Sequence, residues 1–298
     1  MPREEPPTPE LLAWVARRVH ARGRVTAVES LRGGITADMD RITVDSPTGR
    51  QDVVLRRWRQ DDQTDGLVAR EAQGLAAIHG HGVPAPELLA VDGDGSETGV
   101  PCTLTSALTG QPDLAPTDLR SWLRQFAATQ AAIHAVPDLP PTRWDGWYDE
   151  RHRPLPWLDD PGLRDAAHEA AAGPLVDEQV LVHGDYQHFN VLWRGGRLTG
   201  IVDWPNSASG SRGSDVGHCR LNLAVLFDAK TADDYLADYE RAAGVPVDRR
   251  ADLRALLCFD VEWEDFIPLQ VAGRARLDVP GMRGRVTDAI RSTLDAIG

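Results

Sequence analysis

The sequence predicts an α+β protein in two parts, a sheet-rich part ending near residue 109 and a larger helical part after it. Three observations predict this. Short apolar runs separated by turn signals crowd the first third of the chain. Apolar residues recur at helical spacing from residue 116 onward. Between the helical stretches, two apolar runs each deliver an Asp into a loop.

Taken in order, residues 8–22 read as a helix, with Thr8 as N-cap and Leu11, Leu12, Val15 and Val19 as its apolar stripe. Residues 25–31, 39–45 and 52–58 read as strands, with turn signals at Gly33-Gly34 and Ser46-Pro47-Thr48-Gly49. Residues 65–80 carry Leu67, Ala72, Leu75 and Ile78 at helical spacing, and Pro84 and Pro86 force an extended exit. Val91 and the segment from Val100 to Leu108 supply two more strands. The chain then crosses over at Gly110-Gln111-Pro112. Leu119, Trp122, Leu123, Phe126, Ala127 and Ile133 predict a helix over 116–136. A long loop rich in Pro, Trp and charge follows over 137–160, and helices are predicted over 161–173, 215–242, 248–270 and 283–297.

Composition narrows the function. The chain has 298 residues, enough to bury a core in one two-lobed enzyme or in two small domains. No apolar run reaches the length of a membrane span. The Pro- and Glu-rich start lacks the apolar centre of a secretory signal. Cys102, Cys219 and Cys258 are scattered, which suits a reducing cytoplasm and neither a disulfide frame nor a cysteine zinc site. A net charge of −13 repels nucleic acid and favours a cationic partner, although solubility alone accounts for an acidic surface. Lys230 is the sole lysine, so any cation that the sheet-rich part offers to a phosphate is an arginine.

The chemistry concentrates in one stretch. Val180-Leu181-Val182 leads into His183-Gly184-Asp185, Asn190 follows five residues later, and Ile201-Val202-Asp203 repeats the strand-then-Asp arrangement. A carboxylate, an amide and a second carboxylate on adjacent loops meet the needs of Mg²⁺-dependent phosphoryl transfer. The first Asp orients and deprotonates a hydroxyl, while the Asn and second Asp hold the metal on nucleotide phosphates. Two other readings stay open. The loop is a capped buried turn, or His183, Asp185 and His188 ligate a transition metal in a hydrolase; Asn190 argues against the second, being a poor ligand for such a metal.

These residues resemble the signature of aminoglycoside phosphotransferase-like kinases, a family that includes choline kinase-type enzymes. The resemblance extends from about Val28 to the C-terminal helices, and its specific part is the two motifs. It implies a protein-kinase-like bilobal fold, with a nucleotide-binding lobe over 1–109 and a helical lobe over 110–298. It further implies Asp185 as catalytic base, Asn190 and Asp203 as Mg²⁺ ligands, His183 as loop support, and Asp215 as a helix cap that braces the catalytic loop. His188-Phe189 departs from the Pro-Gly common before the Asn.

In the N-terminal lobe, Gly33 and Gly34 lie where the family has a glycine-rich hairpin over the phosphates; a plain hairpin turn is the alternative. Val54 and Arg56 share one strand face. The family pattern assigns Arg56 to the phosphates and Glu71 to the helix acid that fixes it. Ser106 and Ala107 are the expected backbone contacts of the purine. Asp260 and Glu264, one helical turn apart, are expected to hold amines of an acceptor, with a solvated helix face as the alternative. Trp144, Trp147 and Trp157 form an aromatic wall or pack under the loop. His218 is expected to pack on its helix.

The sequence therefore predicts a cytoplasmic kinase that uses ATP or GTP with Mg²⁺. It would modify a hydroxyl of a small cationic molecule such as an aminoglycoside, with no nucleic-acid or membrane partner. A metabolite kinase acting on an amino alcohol, sugar or macrolide is the nearest alternative. A silent pseudokinase and a metallohydrolase are the alternatives of other classes.

Overall fold

The computed structural model describes residues 6–31, 37–58, 66–144, 146–148, 154–259 and 262–298. Gly33, Gly34 and Asp260 lie outside the described residues.

Helix α1 (Pro9–Val19) begins where Thr8 Oγ1 accepts from Leu11 N at 3.2 Å, with Pro at its first position. It lies on an antiparallel sheet built from β1 (Arg24–Leu31), β2 (Ala37–Ser46), β3 (Gly49–Trp58), β4 (Leu88–Asp92) and β5 (Cys102–Ser106), in the order β1-β2-β3-β5-β4. Helix α2 (Leu67–Ile78) connects β3 to β4. Strand periodicity divides the sheet into two faces. Ile42, Val44, Val53, Leu55, Cys102 and Leu104 pack on Leu11, Trp14 and Val15 of α1. Met39, Val54, Arg56, Thr103 and Thr105 point the other way, into a cavity of about 320 Å³ between the sheet and the helical part.

The helical part contains α3 (Leu119–His134), α4 (Pro161–Ala171), α5 (Arg212–Leu226), α6 (Ala229–Ala243), α7 (Arg249–Leu256), α8 (Trp263–Val271) and α9 (Met282–Ile297). A small sheet of β6 (Arg143–Trp144), β7 (Val180–Val182) and β10 (Ala208–Gly210), and a hairpin of β8 (Val191–Arg194) and β9 (Arg197–Ile201), sit at its upper edge. Aromatic rings tie these pieces together. Trp122 stacks on Trp193 with centroids 5.3 Å apart, and Phe126 on Tyr186 at 4.8 Å. Fully burying each such ring contributes about 1.5–3 kcal/mol. The Tyr186 hydroxyl donates to Phe126 O at 2.8 Å, so the ring between Asp185 and Gln187 is anchored in the core.

Two predicted helices are each two helices. The segment 215–242 breaks at Phe227, and Asp228 caps α6 by accepting from Thr231 N at 2.6 Å. The segment 248–270 divides into α7 and α8. Apolar spacing runs through both breaks, so periodicity alone does not reveal them. The loop predicted over 137–160 also contains β6, which pairs in parallel with β10.

Candidate active site

The loop after β7 is shaped by its backbone. Gly184 has φ +78°, and a Cβ there would lie 2.3 Å from Asn206 O, so the turn that presents Asp185 accepts only glycine. His183 is buried and supports the loop. Its Nε2–H donates to Val202 O at 3.0 Å, and its Nδ1 accepts from Asp185 N at 3.3 Å. Burial lowers its pKa and favours the neutral ring that these two bonds require. Asp215 braces the same loop from α5. Its Oδ1 accepts from Gly184 N at 2.8 Å, and its Oδ2 accepts from His183 N, Gln130 Nε2 and His134 Nε2. Burial alone would push this carboxyl up, but the donors from His134 and Gln130 outweigh it and hold it to about 2. Asp215 is not the helix cap, however. Ser211 is, through Gly213 N.

Asp185 stands at the mouth of this loop. Asn190 Nδ2 donates to Asp185 O at 2.9 Å and to Oδ2 at 3.0 Å, which leaves the amide oxygen of Asn190 as the atom able to face a cation. The β8–β9 hairpin pairs Val191 with Ile201, and Val202 N donates to Asn190 O at 2.9 Å. One hairpin therefore positions Asn190 at its start and Asp203 at its end. Asp203 has φ +71°, a left-handed conformation that costs a non-glycine residue on the order of 1–3 kcal/mol and concentrates at functional sites.

From the sheet, Arg56 reaches down to this pair of loops. Its Nη2 donates to Asp203 Oδ1 at 2.8 Å, its Nη1 lies 3.4 Å from Glu71 Oε1, and its guanidinium covers the Trp58 ring. Thr103 Oγ1 donates to Glu71 Oε2 at 2.6 Å. Burial pushes the Glu71 carboxyl up, and Arg56 and Thr103 oppose that push. Helix α2 carries Glu71 into place because Gly74 lets it lie against Ser207; a Cβ at 74 would be 1.9 Å from Ser207 Oγ. The Ser207 hydroxyl donates to Arg70 O at 3.1 Å.

Several expectations change. The N–H groups of Ser106 and Ala107 are taken up by Glu87 O and Asp52 O, so neither can donate to a purine without breaking the sheet; both residues still line the cavity. Glu264 is already paired: both of its oxygens receive Arg283, at 2.5 and 3.3 Å, and the same guanidinium holds Asp159. His218 does not merely pack on α5. Its Nε2 donates to Asp185 Oδ1 at 2.8 Å. Trp147 joins the site through an indole N–H bond to Gly184 O at 2.8 Å, whereas Trp157 packs on Trp263. Gln187 and, on the sheet, the cavity-lining Arg41 are further site residues that sequence reasoning missed. The spacing of His218 one turn beyond Asp215 was the available signal. Among the described residues no three His, Cys, Asp or Glu side chains are placed to hold a metal together, which removes the support for the His183, Asp185 and His188 metal reading.

Burial opposes charge on His218, but its interactions with Asp185 and with Cys258 together outweigh that and push it up to about 10. The ordinary value is 6.5, so the folded protein keeps a proton that the unfolded chain releases. This contribution to stability is complete below pH 6.5 and is lost as pH rises toward 10. The difference in Tm between the wild type and His218→Gln is expected to shrink over that window, measured by scanning fluorimetry from pH 6 to 10.

A sheet lobe over a helical lobe, with a strand arginine, a helix glutamate and two Asp-bearing loops meeting in the cleft, is the architecture of kinase-like phosphotransferases. The chain belongs to the phosphotransferase enzyme family, whose profile matches residues 27–255. It is thereby a phosphotransferase. Curated protein sequences gave no match. Among solved structures it is similar to a candidate aminoglycoside phosphotransferase from Ralstonia eutropha, with 18% identity, 97% of each chain covered and a TM-score of 0.62. It is also similar to a thermostable mutant of aminoglycoside phosphotransferase APH(4)-Ia in ternary complex with AMP-PNP and hygromycin B, with 18% identity, 96% of this chain and 99% of that chain covered, and a TM-score of 0.61. Macrolide 2'-phosphotransferase MphH from Brachybacterium faecium gives 17% identity, 93% and 97% coverage, and a TM-score of 0.59.

Proposed function

We infer that the protein transfers the γ-phosphoryl group of ATP or GTP to a hydroxyl of a small molecule, with Asp185 as base. The supporting observation is that Asp185, Asn190 and Asp203 leave adjacent loops directly below the Arg56–Glu71 pair. The nucleotide fits the cavity between Val54 of the sheet and Leu192 of the hairpin, at a size within the usual range for ligand pockets. On this reading the lobes divide near residue 109, with the nucleotide between them.

The donor set fits Mg²⁺. The Asn190 amide oxygen and the Asp203 carboxylate are hard oxygen ligands, and Asp203 is 41% exposed toward the cleft. When bound, the ion neutralises charge on the phosphates. The residues do the rest. Arg56, positioned by Glu71, is within reach of the cleft and exchanges its bond to Asp203 for phosphate oxygens. Asp185 aligns the acceptor hydroxyl and takes its proton. Asp203→Ala is expected to weaken Mg²⁺-nucleotide binding by about tenfold or more, on the scale of a lost charge-assisted contact. Titration calorimetry with and without Mg²⁺ checks this, and an affinity unchanged in both would remove Asp203 from the metal site.

An aminoglycoside or similar antibiotic is the first acceptor to test, since APH(4)-Ia is solved with hygromycin B. A specific observation favours a second reading, an acceptor without a cluster of amines. Glu264 is already held by Arg283, and the His218 imidazole stands beside Asp185. Release of nucleoside diphosphate measured across aminoglycosides, macrolides, cyclic peptide antibiotics and amino alcohols separates the two. Turnover with none of them would sink the antibiotic assignment. The three free, buried cysteines suit a reducing compartment such as the cytoplasm, and no described helix is long and apolar enough to cross a membrane.

A further inference from the structure

The fold treats the two oxygens of Asp185 differently. Oδ1 accepts from Gln187 Nε2 at 2.7 Å and from His218 Nε2 at 2.8 Å. Oδ2 accepts from Asn190 Nδ2 at 3.0 Å. A carboxylate oxygen offers about two lone-pair sites, so both sites of Oδ1 are filled and Oδ2 keeps one. The filled oxygen is the one held from outside its own loop. His218 projects from α5 one turn beyond Asp215, so a single helix fixes both the backbone of the catalytic loop and the side chain it presents. The His218 side chain is only 12% exposed and packs against Trp147, with ring centroids 6.4 Å apart. Trp147 in turn donates to Gly184 O. The imidazole is thus confined between a helix, an indole and the carboxylate it serves. A histidine present for packing alone has no need to aim a nitrogen at that carboxylate.

We propose that His218 is a positioning residue for phosphoryl transfer: together with Gln187 it fills Oδ1 of Asp185 and so commits Oδ2 to the acceptor hydroxyl. This rests on the reading of Asp185 as base. In the step, the acceptor oxygen forms its bond to the γ-phosphorus. The bond from that phosphorus to the bridging oxygen breaks, and its electron pair leaves with the nucleoside diphosphate. The hydroxyl proton passes to Oδ2. His218 keeps its own proton throughout and touches neither substrate. Rotation of the carboxylate by even a fraction of a turn would move Oδ2 by about an ångström, a displacement that can cost on the order of a hundredfold in rate.

The test compares His218→Leu, which removes the donor, with His218→Gln, whose amide N–H reaches close to the position of Nε2. Turnover, KM for both substrates, nucleotide affinity and a crystal structure are measured for each. For His218→Leu the expected result is a fall in kcat of about 10- to 100-fold with nucleotide affinity within twofold of wild type, and an Asp185 side chain displaced in the crystal. His218→Gln is expected to recover most of the loss, with Asp185 back in place. Should the leucine variant not fold, His218→Asn replaces it, because its shorter amide stops short of Oδ1. A kcat within twofold of wild type without the donor, or a glutamine variant as slow as leucine, overturns the proposal. So does an unmoved Asp185 carboxylate. A wild type that transfers phosphate to no acceptor sinks the functional reading instead, and the crystallographic comparison still decides whether His218 orients Asp185.

Discussion

Asp185→Ala is expected to lower kcat by about a hundredfold or more, the usual scale for loss of a general base, while Mg²⁺-nucleotide affinity stays near wild type. The separation follows from the geometry. Asp185 is bonded to Gln187, His218 and Asn190, all within the catalytic loop or on α5, whereas the arginine that reaches the cleft is bonded to Asp203 and Glu71. Removing the Asp185 carboxylate therefore leaves the nucleotide side intact. Asn190 keeps its bond to Asp185 O, so the amide stays in position. Rapid-quench measurement of the first turnover, paired with calorimetric nucleotide binding, is the check. A first-turnover rate close to wild type would mean that another group takes the proton, and the roles of Gln187 and His218 would lose their purpose.

Asp215→Ala is expected to cost about 3–5 kcal/mol of stability, the scale for breaking a buried, charge-assisted network from one side. Asp215 is completely buried and receives two side-chain and two backbone donors. Alanine would strand the Gln130 and His134 donors where water does not reach. At roughly 2 °C per kcal/mol for a chain of this size, the loss corresponds to a Tm lower by on the order of 10 °C. Differential scanning calorimetry reads it directly, and a Tm within about 2 °C of wild type would contradict the network's assigned weight. The acid limb carries a second signature. Asp215 titrates near 2 in the fold against an ordinary 3.8, so its contribution is complete above pH 3.8 and fades as pH falls toward 2. The variant is expected to lose that part of its acid sensitivity.

Much of this was legible in the chain. Period-2 alternation put Val54 and Arg56 on one strand face, the family resemblance chose that face over the one with Arg57, and the structure puts Val54 and Arg56 on the cavity. The absence of any lysine but Lys230 assigned that position to arginine. Glu71 lies within the predicted helix, one turn past its start at Leu67, and it meets Arg56. Other readings failed for identifiable reasons. Ser106 and Ala107 were expected to offer backbone N–H and C=O groups, and the N–H half does not hold, because neighbouring segments already accept from both. The pairing of Glu264 with Arg283 was not visible, because Arg283 arrives from another helix. His218 read as packing because its helix could be inferred but not what lay opposite it.

The chemical inventory and the local spacing are written in the order of residues alone. Asp185 and Asn190 lie five residues apart on one turn, Asp203 ends the next hairpin, and Gly184 permits the turn, all through short-range backbone geometry. Which of these groups meet depends on the packing of distant elements. Arg56 and Asp203 are 147 residues apart, and His218 and Asp185 are 33 apart. Such pairs form when whole elements dock, and docking is governed by the summed burial of many apolar side chains. No local pattern encodes that sum, so the partners of a charged residue emerge only once the lobes and helices have packed.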